Sequence, residues 1–166
     1  ALNMMDEVTE NGGSIDVNGL EATLGVPVIP ISASKNEGIE ELAEHIVNIA
    51  RYSEKPVPFD FCQNGDDAKS GAVHRCIHSI VHLIEDHAKA AEIPEKFAAT
   101  KIAEGDELIL DSLNLDKNEL QTFKQIVSTM ESECKLDSAA ALADMRFTFI
   151  ENLCEQFVFK PNESLG

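Results

Sequence analysis

The chain has 166 residues, with 30 acids against 13 bases and a formal net charge of −17. That balance excludes a nucleic-acid polymer, whose phosphates need clustered Lys and Arg, and it excludes docking on an anionic lipid surface. Hydrophobic residues make up 43%, enough for a core without disulfide support.

No apolar run reaches about 18 residues, so no membrane span is predicted. No basic stretch precedes an apolar one at the N-terminus, so no signal peptide is predicted. Cys62, Cys76, Cys134 and Cys154 are widely spaced and form no C-x-x-C pair. Without a secretory signal they read as reduced thiols in a cytosolic setting.

In chain order, Ala1-Leu2-Asn3-Met4-Met5 reads as the end of a buried strand. Asn11-Gly12-Gly13 marks a loop. Asp16 to Leu24 reads as a short helix with Val17, Leu20 and Leu24 at helical spacing and Gly25 as its stop. Val26-Pro27-Val28-Ile29-Pro30-Ile31 reads as a second strand, placed near a sheet edge by its prolines. Ser32 to Glu37 is a loop. Gly38 to Tyr52 is an amphipathic helix with Ile39, Leu42, Ile46, Ile49 and Ala50 on one face. A strand, a crossover and a second strand predict a parallel pair.

Ser53 to Gly71 carries Pro56, Pro58, Gly65 and an Asn-Gly-Asp-Asp cluster, the signature of a linker. Every later pattern is helical. Ala72 to Ala90 places Val73, Ile77, Ile80, Val81 and Ile84 on one face, and Pro94 suits the first turn of a helix from 94 to 104. Asp106 to Leu113 is a short helical turn. Asp116 can cap Lys117 to Cys134, with Glu119 placed for a capping box. Asp137 or Ser138 can cap a last helix running to about Val158. The fold class is therefore α/β then all-α, a βαβα piece followed by a helical bundle. The predicted organisation is an α/β part at 1–55, a linker at 56–71, a helical domain at 72–160 and a tail at 161–166.

Ligands of parallel α/β sheets sit beyond the carboxyl ends of the strands. Two loops hold that position here, Asn3-Met4-Met5-Asp6 and Ser32-Ala33-Ser34-Lys35. The Asp6 carboxylate offers two acceptor oxygens and can take the N1–H and 2-amino group of guanine together. Adenine lacks that donor pair and would leave the carboxylate unpaired. Asn3 can hydrogen-bond to the neighbouring loop and fix its shape. The backbone N–H of Ala33 is suited to guanine O6, and small side chains at Ser32, Ala33 and Ser34 allow close approach. The plainer alternative is that these residues only cap helices.

These residues resemble the fourth and fifth motifs of Ras-like GTPases, which bind the base, with Met4 standing where the usual Asn-Lys-x-Asp has lysine. With Leu2-Asn3-Met4-Met5-Asp6, and Leu24-Gly25-Val26-Pro27-Val28 following, residues 1–42 look like the cytosolic G domain of FeoB-type ferrous iron transporters. The stretches Phe97 to Asp106 and Ala143-Asp144-Met145-Arg146-Phe147 look like the helical domain that follows it in that family.

The resemblance implies the second half of a G domain, its base-recognition part, joined to a helical regulatory domain that couples nucleotide state to iron transport. It implies GTP or GDP as ligand, bound through Asn3, Met4, Asp6, Ser32, Ala33 and Ser34. It places the longer protein at the cytoplasmic face of the cell membrane, with this chain itself soluble. The family's Gly-rich phosphate loop ending in Gly-Lys-Ser/Thr does not occur in the sequence. Mg²⁺ and hydrolysis of GTP to GDP and phosphate are therefore expected only of an intact parent. Asp16-Val17-Asn18-Gly19 matches a phosphate-loop pattern by chance, because it follows the base-reading motif instead of preceding it. Implied partners are the rest of the G domain and the membrane region, with self-association possible through an exposed sheet edge.

His74, His78 and His82 are spaced i, i+4, i+8, with His87 beyond. An i, i+4 pair can chelate an ion such as Zn²⁺, but His74 and His82 would stand about 12 Å apart along a helix. Completing a site would need Cys62, Cys76 or an acid, and no metal site is assigned. Lys101, Glu104, Asp106, Asp144 and Arg146 read as ion pairs between helices. Two rival readings remain, a helical docking module without nucleotide binding and a metal-responsive histidine ridge.

Overall fold

The structure, a computed structural model, describes residues 1–57 and 68–161, with side chains of the second stretch described from residue 71. It divides into two compact units. One comprises Ala1–Asp60 with Ile150–Gly166, the other Phe61–Phe149. The sequence pattern carries the helical domain to residue 160, whereas residues from Ile150 onward belong with the N-terminal unit. The reason is a pairing invisible to periodicity: β1 (Ser14–Ile15) pairs antiparallel with β2 (Val158–Phe159). The last helix ends at Phe157 to allow it.

In the N-terminal unit, the expected parallel strands reduce to one bridge, Leu2 with Pro30. Leu2 N–H donates to Ile29 O at 2.8 Å, and Ile31 N–H returns to Leu2 O at 2.8 Å. Pro27 and Pro30 bring no N–H, so the ladder cannot extend through them. The residues after Leu2 are not strand. Met5–Glu10 is a helix, α1, whose N-cap Met4 is left-handed at φ 65°. This corrects the placing of Met5 in a strand and of Asp6 in a loop. Six residues are too few for hydrophobic periodicity to reveal a helix.

Helix α2 (Val17–Leu24) starts where Asp16 accepts the Gly19 N–H at 3.0 Å and stops at left-handed Gly25. Asp16 and Gly19 thus form a helix cap. Helix α3 (Ile39–Tyr52) has acids in its first turn and Arg51 in its last, matching its dipole. Its expected apolar face is only partly covered, with Ile46 58% exposed. Among the described residues of this unit, Leu20, Ile29, Ile31 and Ser32 are buried.

The second unit is helical. Residues 58–67 of the expected linker lie outside the described residues, and α4 (Ala68–Ala90) begins four positions before the predicted start. It is followed by α5 (Glu95–Ala103), α6 (Glu107–Ser112), α7 (Lys117–Cys134) and α8 (Ser138–Phe157). Val73, Ile77, Ile80 and Ile84 of α4 form the centre of the core, with Ala98, Ala99 and Ile102 of α5, Met130 of α7 and Leu142 of α8. The alanines let α5 approach α4 closely. Asp116 and Glu119 form the predicted capping box, and Asp137 Oδ1 caps α8 through Ala140 N–H at 2.8 Å. Among the described residues no helix is long and apolar enough to cross a membrane.

Candidate functional site

The site is built by two short segments that the Leu2–Pro30 bridge sets side by side. After Ile31 the chain turns sharply, and Ser32 and Glu37 exchange both backbone hydrogen bonds, at 3.1 and 3.0 Å. Their bridge closes the 32–37 loop, with Asn36 left-handed inside it. Ser32 is buried, while Ala33 and Ser34 are exposed.

The predicted residues Asn3, Asp6, Ser32, Ala33 and Ser34 converge. Asn3 Oδ1 accepts the Ala33 N–H at 3.1 Å. Ser34 Oγ donates to Asp6 Oδ2 at 3.4 Å and lies 3.2 Å from Ser32 Oγ. The buttressing role expected of Asn3 is thus present as a bond. The Ala33 N–H, expected to be available to a base carbonyl, is instead engaged by Asn3. Met4 joins the site through its backbone as the cap of α1, and the residue is 52% exposed.

Asp6 sits in the first turn of α1, where the helix dipole favours a carboxylate. Its side chain is 13% exposed. The Ser32 hydroxyl, before all else, holds its pKa below the ordinary carboxylate value, with the Lys35 charge assisting against partial burial. Lys35 Nζ stands 3.5 Å from Asp6 Oδ2 and also pairs with Glu10. That pairing, chiefly the Glu10 hydrogen bond, raises the Lys35 pKa. The sequence pattern places Lys35 in the loop without a role; the signal for one is a lone base facing two acids. A cavity of about 370 Å³ lies here, lined by Asp6, Thr9, Glu10, Ser32, Lys35 and neighbours.

The other candidates separate from this site. Lys101 pairs with Asp106 at 3.2 Å and Glu104 at 3.6 Å, and Arg146 pairs with Glu104. Lys101, Glu104, Asp106 and Arg146 thus form the ion-paired helix contact that the sequence pattern suggests, and Asp144 is not part of it. Cys76 and Cys134 are buried and Cys154 is exposed, and none of the three forms a disulfide. Burial, then the neighbouring Cys134, pushes the Cys76 pKa up to about 12. Cys76 therefore faces the core and does not complete a histidine site, and Cys62 lies outside the described residues. Among the described residues no three His, Cys, Asp or Glu converge as a metal group.

Comparison with known proteins agrees with this geometry. The family model described as the FeoB cytosolic helical domain matches residues 70–158. A second, described as ferrous iron transport protein B, matches residues 1–46. The Fe(2+) transporter FeoB of Legionella pneumophila (strain Paris) is 30% identical over 156 residues, covering 92% of this chain and 18% of that protein. Among solved structures, a GDP-bound variant of S. thermophilus NFeoB matches with a TM-score of 0.72 at 25% identity, over 95% of this chain and 57% of that one. S. thermophilus NFeoB bound to GDP, AlF4⁻ and K⁺ matches with a TM-score of 0.70 at 25% identity, over 93% and 57%. The chain thus spans about a fifth of the transporter and somewhat over half of the solved cytosolic structures. The loops carrying Asn3, Asp6 and Ala33 fall within the match over residues 1–46 and the ion-paired helices within the match over 70–158, and the chain belongs to the FeoB ferrous iron transport family.

Proposed function

We propose that the N-terminal unit recognises the guanine base of GTP or GDP. The helical unit would couple the nucleotide state to iron transport by the longer protein, at the cytoplasmic face of the membrane. The observation that carries this reading is the bonded set Asn3, Ala33, Ser34 and Asp6, which sets a carboxylate of lowered pKa beside a backbone N–H on one rim. Asp6 supplies the two acceptors that N1–H and the 2-amino group require. The Ala33 N–H passes from Asn3 to O6 when the base enters, and Lys35 gives up its hold on Asp6. Solved S. thermophilus NFeoB structures hold GDP and GMPPNP, which supports the same ligand class.

The residues present fit the base and not the phosphates. With no Gly-Lys-Ser/Thr loop in the sequence, nothing here supplies the Mg²⁺ or phosphate ligands. Hydrolysis of GTP to GDP and phosphate is accordingly assigned to the longer protein and not to these 166 residues. Self-association through the strand edge at Leu2 belongs to the same proposal, and sedimentation of the chain tests it.

Titration with fluorescent GDP and ADP analogues checks the main reading. Saturable binding of the guanine analogue alone, lost in Asp6→Ala, is the expected result. Absent binding by a chain with intact helical circular dichroism would favour the second reading, a helical docking module. That alternative draws on Phe97, Leu108 and Phe147 of the helical unit, which are 52%, 83% and 66% exposed.

A further inference from the structure

We propose that His74 and His78 form a two-imidazole site on α4 for a borderline divalent cation such as Zn²⁺, Ni²⁺ or Cu²⁺. Positions i and i+4 lie one above the other on a helix face. Here the two ring centroids are 4.2 Å apart with planes inclined at 41°. A cation holding both imidazole nitrogens at 2.0–2.1 Å would put the centroids about 4.5–5 Å apart. The observed pair is within about 1 Å of that separation, and rotation about the side-chain torsions, with the backbone fixed, would turn one nitrogen of each ring toward a shared ion.

The backbone beneath is fixed. Val73 and Ile77, on the adjoining face of the same turns, are 1% and 0% exposed in the core. His74 is half-buried and His78 is exposed, so water can occupy the remaining coordination positions. Arg75, the cation next in sequence, is paired with Glu133 of α7, which offsets its repulsion of an incoming ion. The net charge of −17 raises the local concentration of divalent cations.

His82 lies one turn beyond His78 and about 12 Å from His74 along the helix axis, so it cannot share an ion with His74, and the close ring contact is the one between His74 and His78. The donor set is two nitrogens plus water. Such a set binds Cu²⁺ most tightly among the first-row divalent ions and discriminates against Mg²⁺. The proposal is independent of the guanine reading, because no residue of the base site contributes to it.

The test is Zn²⁺ calorimetry on the 166-residue chain without a polyhistidine tag, joined to Cu²⁺ electron paramagnetic resonance. The wild-type chain should bind one Zn²⁺ that Mg²⁺ does not displace, and its Cu²⁺ spectrum should show coupling to two imidazole nitrogens. His74→Ala, His78→Ala and His78→Gln should each weaken Zn²⁺ about tenfold or more, because a chelate loses its effective-concentration advantage. Each should also leave one nitrogen coupling, while His82→Ala should change affinity less than about twofold. Unchanged Zn²⁺ affinity in folded His74 and His78 variants would overturn the proposal. So would an equal loss in His82→Ala.

Discussion

Asn3 Oδ1 accepts the backbone N–H of Ala33 at 3.1 Å, thirty positions along the chain. This bond locks the start of α1 to the 32–37 loop and fixes the rim that Asp6 faces. Asn3→Ala removes the acceptor and leaves the Ala33 N–H to water. The expected loss is about 0.5–1.5 kcal/mol, the net worth of one hydrogen bond. Urea unfolding should show it as a lower midpoint with an unchanged slope. Asn3→Asp keeps an acceptor oxygen and should recover most of the loss. A midpoint equal to wild type in Asn3→Ala would show that the bond contributes nothing.

Asp6 gives a sharper test, because one atom changes the base it can read. An asparagine there presents one acceptor and one donor in place of two acceptors. Guanine offers two donors to that edge, whereas xanthine offers N1–H and a carbonyl. Asp6→Asn should therefore weaken guanine binding by about 10–100-fold, the range for a charged hydrogen-bonded pair, and gain xanthine binding by a comparable factor. Competition between guanosine and xanthosine diphosphates for the fluorescent probe reads both changes. Parallel weakening of both bases would mean that Asp6 acts through loop structure and not through the base edge.

Much of this arrangement was legible in the residues. Helical periodicity and end signals located α2, α3 and the five later helices, because long amphipathic stretches and residues such as Gly25, Asp116 and Glu119 each have a local physical cause. The convergence of Asn3 with Ala33 followed from the position of two loops after parallel strands. Three features were not legible, for reasons of length and distance. Helix α1 is six residues long and is capped by a left-handed methionine, a residue that gives no start signal. The β1–β2 pairing joins two residues to two residues across nearly the whole chain, and nothing local encodes it. The Lys35 bridge to Asp6 and Glu10 depends on α1 presenting both acids to one side, so missing the helix concealed the bridge.

His87 supplies a pH-dependent link in the helical unit. Its Nε2 lies 3.0 Å from Glu119 Oε1, while Glu119 Oε2 accepts the Asp116 N–H at 2.7 Å. One carboxylate thus holds α4 and caps α7. The Glu119 hydrogen bond is the leading cause that raises the His87 pKa, with the Leu113 backbone and Asp86 adding to it and burial opposing. A raised histidine pKa stabilises the fold fully below the unfolded value of about 6.5 and loses that contribution as pH rises through the folded value. His87→Gln should therefore cost most near pH 5.5 and least near about pH 8.5. Unfolding midpoints of both proteins across that range check it. A gap that widened with rising pH would contradict the assignment.

Gly38 connects the loop to its support. It is left-handed at φ +71°, and a Cβ placed there would lie 2.4 Å from Pro30 O and 3.1 Å from Ile31 Cγ2. Pro30 is the residue that bridges Leu2, so a push at this point acts on the link beneath the site. Gly38→Ala adds the strain of a left-handed alanine, about 1–2 kcal/mol, to a collision with backbone that cannot swing aside. Gly105 is the matched control, left-handed at φ +90° with nothing within 4 Å of the same added atom. Gly105→Ala should cost about 1–2 kcal/mol from strain alone, and Gly38→Ala should cost about 2–4 kcal/mol. Only Gly38→Ala should speed hydrogen exchange at the Leu2 and Ile31 amides, which hold the bridge. Equal costs for the two substitutions, with slow exchange retained at both amides, would show that the loop absorbs the collision and that Gly38 is chosen for its dihedral angle alone.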